Sequence, residues 1–476
     1  MGRRRRQKPF FEAVEVLEMA AEGKSLAKVN DKVLFIPQTV PGDVVDVQVT
    51  KKRKRYMEGR VTKVHKYSER RVEPFCEHFG VCGGCKWQFI SYADQLKNKQ
   101  QTVEDALQRI AKIELPEIET ILPSEKTQFY RNKLEFTFSN KEWLTQEQVD
   151  SGEDFENRNA LGFHVPGRFD KVLDVKKCWL QEDPSNAIRN WVKQYALKNE
   201  LSFFDLREQH GFLRNLTIRT AATGEIMVIF SFFKELKAER EALLNAFKTQ
   251  FPEVTSLLYV INEKRNDTIA DQEIICFSGR EYILESMPNF SNTKTLQFKI
   301  GPKSFYQTNS LQAHKLYELS AQLAEITKDD VVYDLYTGTG TIANYIADEA
   351  KQVIGVEYVE AAIEDAKFNA QMNEIENCTF LAGDMKDVFT EDFVAKHGKA
   401  DVVITDPPRA GMHEDVVKQL LKLETPKIVY VSCNPATQAR DLQWLDGKYE
   451  VAAVKPVDMF PQTHHVENIV LLKLKK

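Results

Sequence analysis

From about residue 300 onward, short and wholly apolar runs alternate with longer stretches that carry one apolar face. That is the pattern of parallel strands covered on both sides by helices. Val331-Val332-Tyr333-Asp334-Leu335-Tyr336 leads into Thr337-Gly338-Thr339-Gly340-Thr341 and a helix from about Ile342. Gln352-Val353-Ile354-Gly355-Val356-Glu357, the run before Gly383-Asp384, and Asp401-Val402-Val403-Ile404-Thr405-Asp406 each end in an acid. Ile428-Val429-Tyr430-Val431 is cut off by Ser432-Cys433-Asn434-Pro435, and Pro435 biases Asn434 away from helical angles. It reads as a buried strand that hands Cys433 to a sharp turn, with a terminal strand at Ile469-Val470-Leu471-Leu472.

The earlier chain has other rhythms. Residues 13–19, 32–37, 44–49 and 59–64 read as short strands broken at Gly23, Pro41-Gly42 and a basic run, which predicts a small OB-like β-barrel. Residues 92–112 predict an amphipathic helix with Leu96, Val103, Leu107 and Ile110 on one face. Residues 127–300 mix strand and helix patterns, predicting an α+β middle domain. Within it, 140–160 reads as a mobile acidic loop (Glu142, Glu147, Asp150, Glu153, Asp154, Glu156). Three domains follow: a barrel over 1–67, a central domain over 68–300, and an α/β Rossmann-like domain over 301–476.

Composition changes this picture in two places. At 42% hydrophobic and 28% charged, the 476 residues suit several packed cores, and no run reaches the roughly 18 apolar residues of a membrane span. Arg3-Arg4-Arg5-Arg6 is followed by Lys8, Pro9, Glu12 and Glu15 rather than an apolar segment, so a cytoplasmic location is expected. Net charge is −5, yet residues 1–71 hold 18 Lys/Arg against 9 Asp/Glu. A basic module centred on Lys51-Lys52-Arg53-Lys54-Arg55 implies a polyanionic partner, with RNA the expectation.

Seven cysteines without an export signal argue for a reducing compartment. Cys76, Cys82 and Cys85 form a C-x5-C-x2-C cluster, and Cys178 is the next cysteine along the chain. Thiolates select zinc or an iron–sulfur cluster. Three close cysteines and one distant one fit a cubane better than the two close pairs common at structural zinc. Cys433 has two readings here, a small buried hydrophobe or a thiol at the ligand-binding edge of a sheet.

The strand–G-x-G–helix unit with Glu357 closing the next strand fits a ribose-bearing cofactor, either NAD or S-adenosylmethionine. The spacing lacks a third glycine for a pyrophosphate, so S-adenosylmethionine fits better. Asp384 is placed to read an adenine amino group. In Asp406-Pro407-Pro408-Arg409 an arginine stands where amino-group methyltransferases place an aromatic residue, which argues against amino methylation.

Together these pieces resemble the RNA (uracil-5-)-methyltransferase family, in particular its iron–sulfur 23S rRNA branch with a TRAM barrel. Ser304-Phe305-Tyr306-Gln307-Thr308-Asn309 and His465-Val466-Glu467-Asn468 complete the ordered set. The departures are Tyr306, Thr308, Thr341 and the acidic stretch. The resemblance implies that Gln307, Tyr336, Glu357 and Asp406 bind S-adenosylmethionine, with Thr341 and Asp384 as lesser candidates. It implies Cys433 as nucleophile, Glu467 as base, and a [4Fe–4S] cluster on Cys76, Cys82, Cys85 and Cys178. It also implies that helix 92–113 packs on the catalytic domain. Cys276 and Cys378 receive no role, and no protein partner is implied. Neighbouring readings are tRNA uracil methylation and a catalytically silent iron–sulfur RNA-binding protein. A paired uracil cannot reach a buried thiol, so the expected substrate is a flipped or looped-out uridine.

Overall fold

The computed structural model describes residues 8–153 and 157–476. Arg3, Arg4, Arg5 and Arg6, and Asp154 and Glu156 of the acidic stretch, lie outside the described residues, as does the side chain of Glu147.

Six strands between Phe10 and Lys66 curl around Val14, Val16, Leu34, Ile36, Val45, Val47 and Met57. Val44–Lys52 lies against Tyr56–Lys66 so closely at Gly59 that a Cβ there would come within 2.2 Å of Val47 Cγ1. The strand expected over 13–19 is instead two pieces, Phe10–Glu15 and Glu18–Met19. The register slips between Phe11 and Val14, where Ala13 takes a left-handed φ of 49°. Such a bulge bends an edge strand, and period-2 patterning does not reveal it.

A second, seven-stranded sheet spans Lys133–Ser139 to Ile275–Gly279. It is antiparallel except where Ile226–Phe232 meets Ser256–Ile261. Helices Ser185–Lys198 and Lys237–Gln250 cover one face, and Cys178 belongs to that core. Met227, Ile229, Leu258 and Val260 point the other way, into a core shared with the C-terminal sheet. The hairpin Ile283–Pro288/Thr295–Ile300 joins the same core. The acidic stretch begins as an edge pairing rather than a free loop: Glu142 N donates to Arg158 O, the Arg158 guanidinium donates to Glu142 O, and Trp143 N donates to Val172 O.

The C-terminal sheet has seven strands: β1 (Val331–Leu335), β2 (Gln352–Glu357), β3 (Cys378–Ala382), β4 (Val402–Thr405), β5 (Lys427–Ser432), β6 (Tyr449–Val457) and β7 (Glu467–Leu474). Their spatial order is 3-2-1-4-5-7-6, parallel except for β7, which runs antiparallel to β5 and β6. Alternation across the pleat divides the residues cleanly. Val332, Val429, Val431, Ile469 and Leu471 face one helix layer, while Tyr333, Leu335, Ile428, Tyr430, Val470 and Leu472 face the other.

The predicted helix near 92 is observed as Tyr92–Ala106, capped by the Ser91 hydroxyl on Asp94 N. It ends in a π-turn, Leu107–Ala111, rather than a plain last α-turn. Val103, Leu107 and Ala111 lie in the second layer of the C-terminal sheet, far along the chain from it. What holds the helix there is a fully buried ion pair, Lys99 Nζ to Asp458 Oδ1 at 2.6 Å, with Tyr92 Oη donating to Asp458 Oδ2 at 2.8 Å. Among the described residues no helix is long and apolar enough to cross a membrane.

Removing one partner of a buried pair strands the other charge, at a cost of about 3–5 kcal/mol. Lys99→Met therefore lowers the unfolding free energy by about that amount, read from denaturant titration. Joint replacement with Asp458→Leu recovers part of the loss.

Candidate active site

Three adjacent parallel strands end at one level. Leu335 pairs with both Val356 and Thr405, so Tyr336, Glu357 and Asp406 emerge side by side at the carboxyl edge. The turn after β1 is held by left-handed residues, Tyr336 (φ 65°), Gly338 (φ 55°) and Gly340 (φ 73°). At Gly340 a Cβ would come within 2.9 Å of Ala366 and Phe380, so only glycine allows the helix to start there. The buried Asp334 accepts from the Thr337 hydroxyl and from Ala343 N, fixing the turn onto helix Thr341–Ile346.

The other expected cofactor residues are more varied in their settings. Glu357 receives backbone N–H groups from Gly338 at 3.2 Å and Val359 at 3.0 Å. Thr341 is buried with its hydroxyl 3.3 Å from that of Thr339. Asp384 is committed locally: it caps helix Met385–Val388 and pairs with Lys386 at 3.2 Å. Gln307 sits on a loop whose carbonyl accepts from Asn132 Nδ2 at 2.9 Å, and Asn309 ties that loop to Met459 O at 2.9 Å.

β5 and β7 deliver the second half of the site. Their register pairs Ser432 with Asn468, so one step further Cys433 faces Glu467. Pro435 starts helix Pro435–Leu445, and Asn434 is extended (φ −137°) with its side chain capping Ala436 N. The strand thus turns sharply at the thiol. Asn434 Nδ2 and Thr437 Oγ1 both donate to Arg409 O, bringing the Asp406-Pro407-Pro408-Arg409 turn onto the same corner. Cys433 is half-buried, and Glu467 is buried. The thiol borders a groove whose far walls are the barrel segment at Met19 and Glu22 and the helix segment at Asn98, Thr102 and Arg109.

Cys76, Cys82, Cys85 and Cys178 border a single, largely apolar pocket with Phe163 and Trp179. Among the described residues no group of three or more His, Cys, Asp or Glu is arranged to hold a metal ion. Burial raises all four thiols, Cys82 to about 11 and Cys85 to about 12.

Comparison with known proteins decides the family. The model of the tRNA (uracil-5-)-methyltransferase family matches residues 205–475, and that of the TRAM domain matches 12–62. An uncharacterized RNA methyltransferase of Bacteroides thetaiotaomicron is 59% identical, covering 96% of this chain and 100% of its own. One of Porphyromonas gingivalis is 55% identical over 96% and 99%. The chain belongs to the tRNA (uracil-5-)-methyltransferase family. Among solved structures, the Pyrococcus abyssi tRNA (uracil-54, C5)-methyltransferase in complex with S-adenosyl-L-homocysteine superposes with a TM-score of 0.73. It is 26% identical, over 96% of this chain and 100% of that one. The protein is an S-adenosylmethionine-dependent RNA methyltransferase with an N-terminal TRAM domain.

In this methyltransferase the edge of the sheet concentrates acids in poor solvent. Burial pushes Asp334 and Asp406 up to about 7, and Asp334 adds to the effect on Asp406. Glu467 is raised well above the carboxylate range by burial and then by Asp406, with Arg409 opposing. Burial, Glu467 and Asp406 lift the Cys433 thiol to about 11, against the Arg409 guanidinium, which also hydrogen-bonds to it. Sequence reading took Arg409 as part of the family's D-P-P-R turn and as a departure from amino methyltransferases; its influence on the thiol was not foreseen. His464 and His465 were missed as a pair. Their rings stand 4.2 Å apart beside the groove, and burial with nearby cations lowers His465 to about 4. The doublet in Gln462-Thr463-His464-His465, just ahead of the last strand, is the signal that could have flagged them.

A thiol held near 11 is almost wholly protonated at neutral pH, and only the thiolate attacks an alkylating agent. Site-resolved mass spectrometry with iodoacetamide is expected to show Cys433 reacting at least tenfold more slowly at pH 8 than an unperturbed thiol near 8.5. The rate should still be climbing at pH 10. Arg409→Met slows it further.

Proposed function

We propose that the enzyme transfers the methyl group of S-adenosylmethionine to carbon 5 of one uridine in 23S rRNA, through a covalent bond between Cys433 and carbon 6. The observation that carries this reading is the opposition of a half-buried thiol and a buried carboxyl across β5 and β7 at the end of a groove. Carbon 5 of uracil is too poor a nucleophile to attack a methyl sulfonium. Cys433 loses its proton to the solvent side of the groove, and Arg409 stabilises the thiolate. The thiolate then adds to carbon 6, and the electrons of the carbon 5–carbon 6 double bond pass to oxygen 4 as an enolate. Carbon 5 is now electron-rich and takes the methyl group, releasing the donor as a neutral thioether. Glu467 removes the proton from carbon 5. The C–H pair reforms the double bond, and the C–S pair leaves with Cys433.

Gln307, Tyr336, Glu357 and Asp406 are assigned to the methyl donor, with Thr341 and Asp384 in lesser roles. Three of the four emerge together at the carboxyl edge where open α/β sheets bind ligands. The groove between barrel and helix is assigned to the RNA on either side of a flipped uridine.

A [4Fe–4S] cluster is assigned to Cys76, Cys82, Cys85 and Cys178. The four thiols border one largely apolar pocket, and cysteine thiolates are the donors an iron–sulfur cluster would take there. Once bound it would supply a bond network stapling the 76–85 loop to the central core rather than redox turnover. This cysteine set and the basic barrel support the ribosomal branch. The similarity to a tRNA methyltransferase supports transfer RNA instead.

Labelled donor offered with purified 23S rRNA and tRNA side by side is expected to label the ribosomal RNA. Cys433→Ala abolishes both methylation and any denaturation-resistant RNA adduct, whereas Glu467→Gln transfers the methyl group and traps the adduct. Full turnover by Cys433→Ala would sink the covalent route, and label confined to tRNA would move the substrate. Both groups work in their deprotonated forms and both are raised, so activity climbs with pH from 6 to 9.

Anaerobically purified protein should carry about four iron and four sulfide per chain. Zinc without sulfide contradicts the cluster.

A further inference from the structure

The loop between β6 and β7 is pinned to other elements from Asp458 to Gln462, and one residue takes most of the restraint. Asp458 is held by Lys99 and Tyr92, and Phe460 O accepts from Lys99 Nζ at 3.0 Å. Pro461 O accepts from Tyr130 Oη at 2.9 Å. Gln462 then makes five bonds, the longest from its Nε2 to Thr127 O at 3.5 Å. Its carbonyl accepts from Lys86 N at 2.8 Å and Trp87 N at 3.1 Å, the two residues directly after Cys85. Its own N–H donates to Gln95 Oε1 at 2.8 Å, and its side-chain Oε1 accepts from Gln95 Nε2 at 2.9 Å. The same Gln95 amide reaches Trp87 O at 3.1 Å and Ile90 O at 3.3 Å. Gln462 is buried and holds a left-handed φ of 67°, a conformation that non-glycine residues adopt only when their surroundings impose it.

Five residues after this anchor the chain reaches Glu467, the first residue of β7. The hydrogen-bonded register of β7 against β5 and β6 fixes Glu467 from its carboxyl side. From its amino side Val466 packs into the core of the C-terminal sheet, and the nearest loop residue hydrogen-bonded to other elements on two fronts is Gln462.

We propose that Gln462, with Gln95, is a positioning residue for proton removal. The pair locks the lead-in of β7 onto the cysteine-bearing loop and helix Tyr92–Ala106, and so sets where the Glu467 carboxyl stands relative to carbon 5. This rests on the assignment of Glu467 as the base. Freeing the lead-in shifts Glu467 at the moment when the carbon 5 proton must pass to it and the C–S pair must return to Cys433. A misplacement of about 1 Å costs on the order of a hundredfold in such a step. Addition of Cys433 and methyl transfer depend on the β5 turn and the Arg409 corner, which Gln462 does not touch.

The test uses full-length enzyme, its RNA substrate and methyl-labelled S-adenosylmethionine. Gln462→Gly keeps the left-handed backbone accessible while deleting the side chain, and Gln95→Ala removes the partner from the helix. Both are compared with wild type and Glu467→Gln for the methyl-transfer burst and for decay of the labelled, denaturation-resistant adduct. Adduct decay is expected to slow by tenfold or more in both glutamine variants, with the burst changed by less than threefold. Burst and decay falling in parallel, or decay at the wild-type rate, overturns the positioning role. Adduct trapped by Glu467→Gln but by neither glutamine variant overturns it alone. No trapping by Glu467→Gln overturns the assignment of the base.

Discussion

The site depends on the reversal of one strand. In a wholly parallel sheet the carboxyl edge collects only strand ends, so a residue that starts a strand lies at the opposite edge, a sheet's width away. β7 runs against β5, and its first residue therefore arrives at the edge where β5 finishes. That pairing sets Glu467 across from Cys433, and the nine-residue loop from Asp458 to Val466 must cross the same edge to reach it. The loop's placement in turn meets helix Tyr92–Ala106, through the buried Lys99–Asp458 ion pair.

The electrostatics follow from this crowding. Asp334, Asp406 and Glu467 share a poorly solvated corner, and each is pushed toward its neutral form. Burying like charges this close is unfavourable unless cations face them. Arg409 supplies one, from a turn that Asn434 and Thr437 hold in place. The methyl donor's sulfonium would supply another on the proposed reading. With Asp406 assigned to the donor as proposed, donor affinity and proton release are linked, and binding would strengthen as pH rises through about 7. The strain of holding the acids together is therefore matched to a positively charged substrate.

How much of this was legible depended on range. The apolar runs at 331–336, 352–357 and 428–431 were readable because strands buried on both faces leave few polar positions, Asp334 being the exception, and the acids that close 352–357 and 401–406 marked one edge. Cys433 and Glu467 were readable through motif order, though their register opposition was not. The edge strand near Ala13 was misread because a bulge erases alternation locally. The hairpin from Ile283 to Ile300 does alternate, with Ile283, Met287, Leu296, Phe298 and Ile300 buried, but nothing local says which core receives it. Lys99 and Asp458, or Gln95 and Gln462, lie more than 350 residues apart and look like ordinary polar positions on a helix and a loop. Only folding brings such partners together.

The same long-range contacts explain why three units of different chain origin form one groove. The barrel segment at Gly23 comes up against Lys86, Trp87 and His464, so close that a Cβ at Gly23 would sit 3.5 Å from the imidazole. Lys86 and Trp87 are the residues that grip Gln462, and they follow directly on Cys85. The barrel, the cysteine-bearing loop and the lead-in to the catalytic strand thus meet at one junction. RNA lying on the barrel's basic surface would press on the elements that hold Glu467 in register. A single-stranded segment entering from that side reaches the thiol only after passing Met19, Glu22 and the π-turn at Arg109. On the proposed reading, a uridine that follows this path to the thiol has to leave its stack before it arrives.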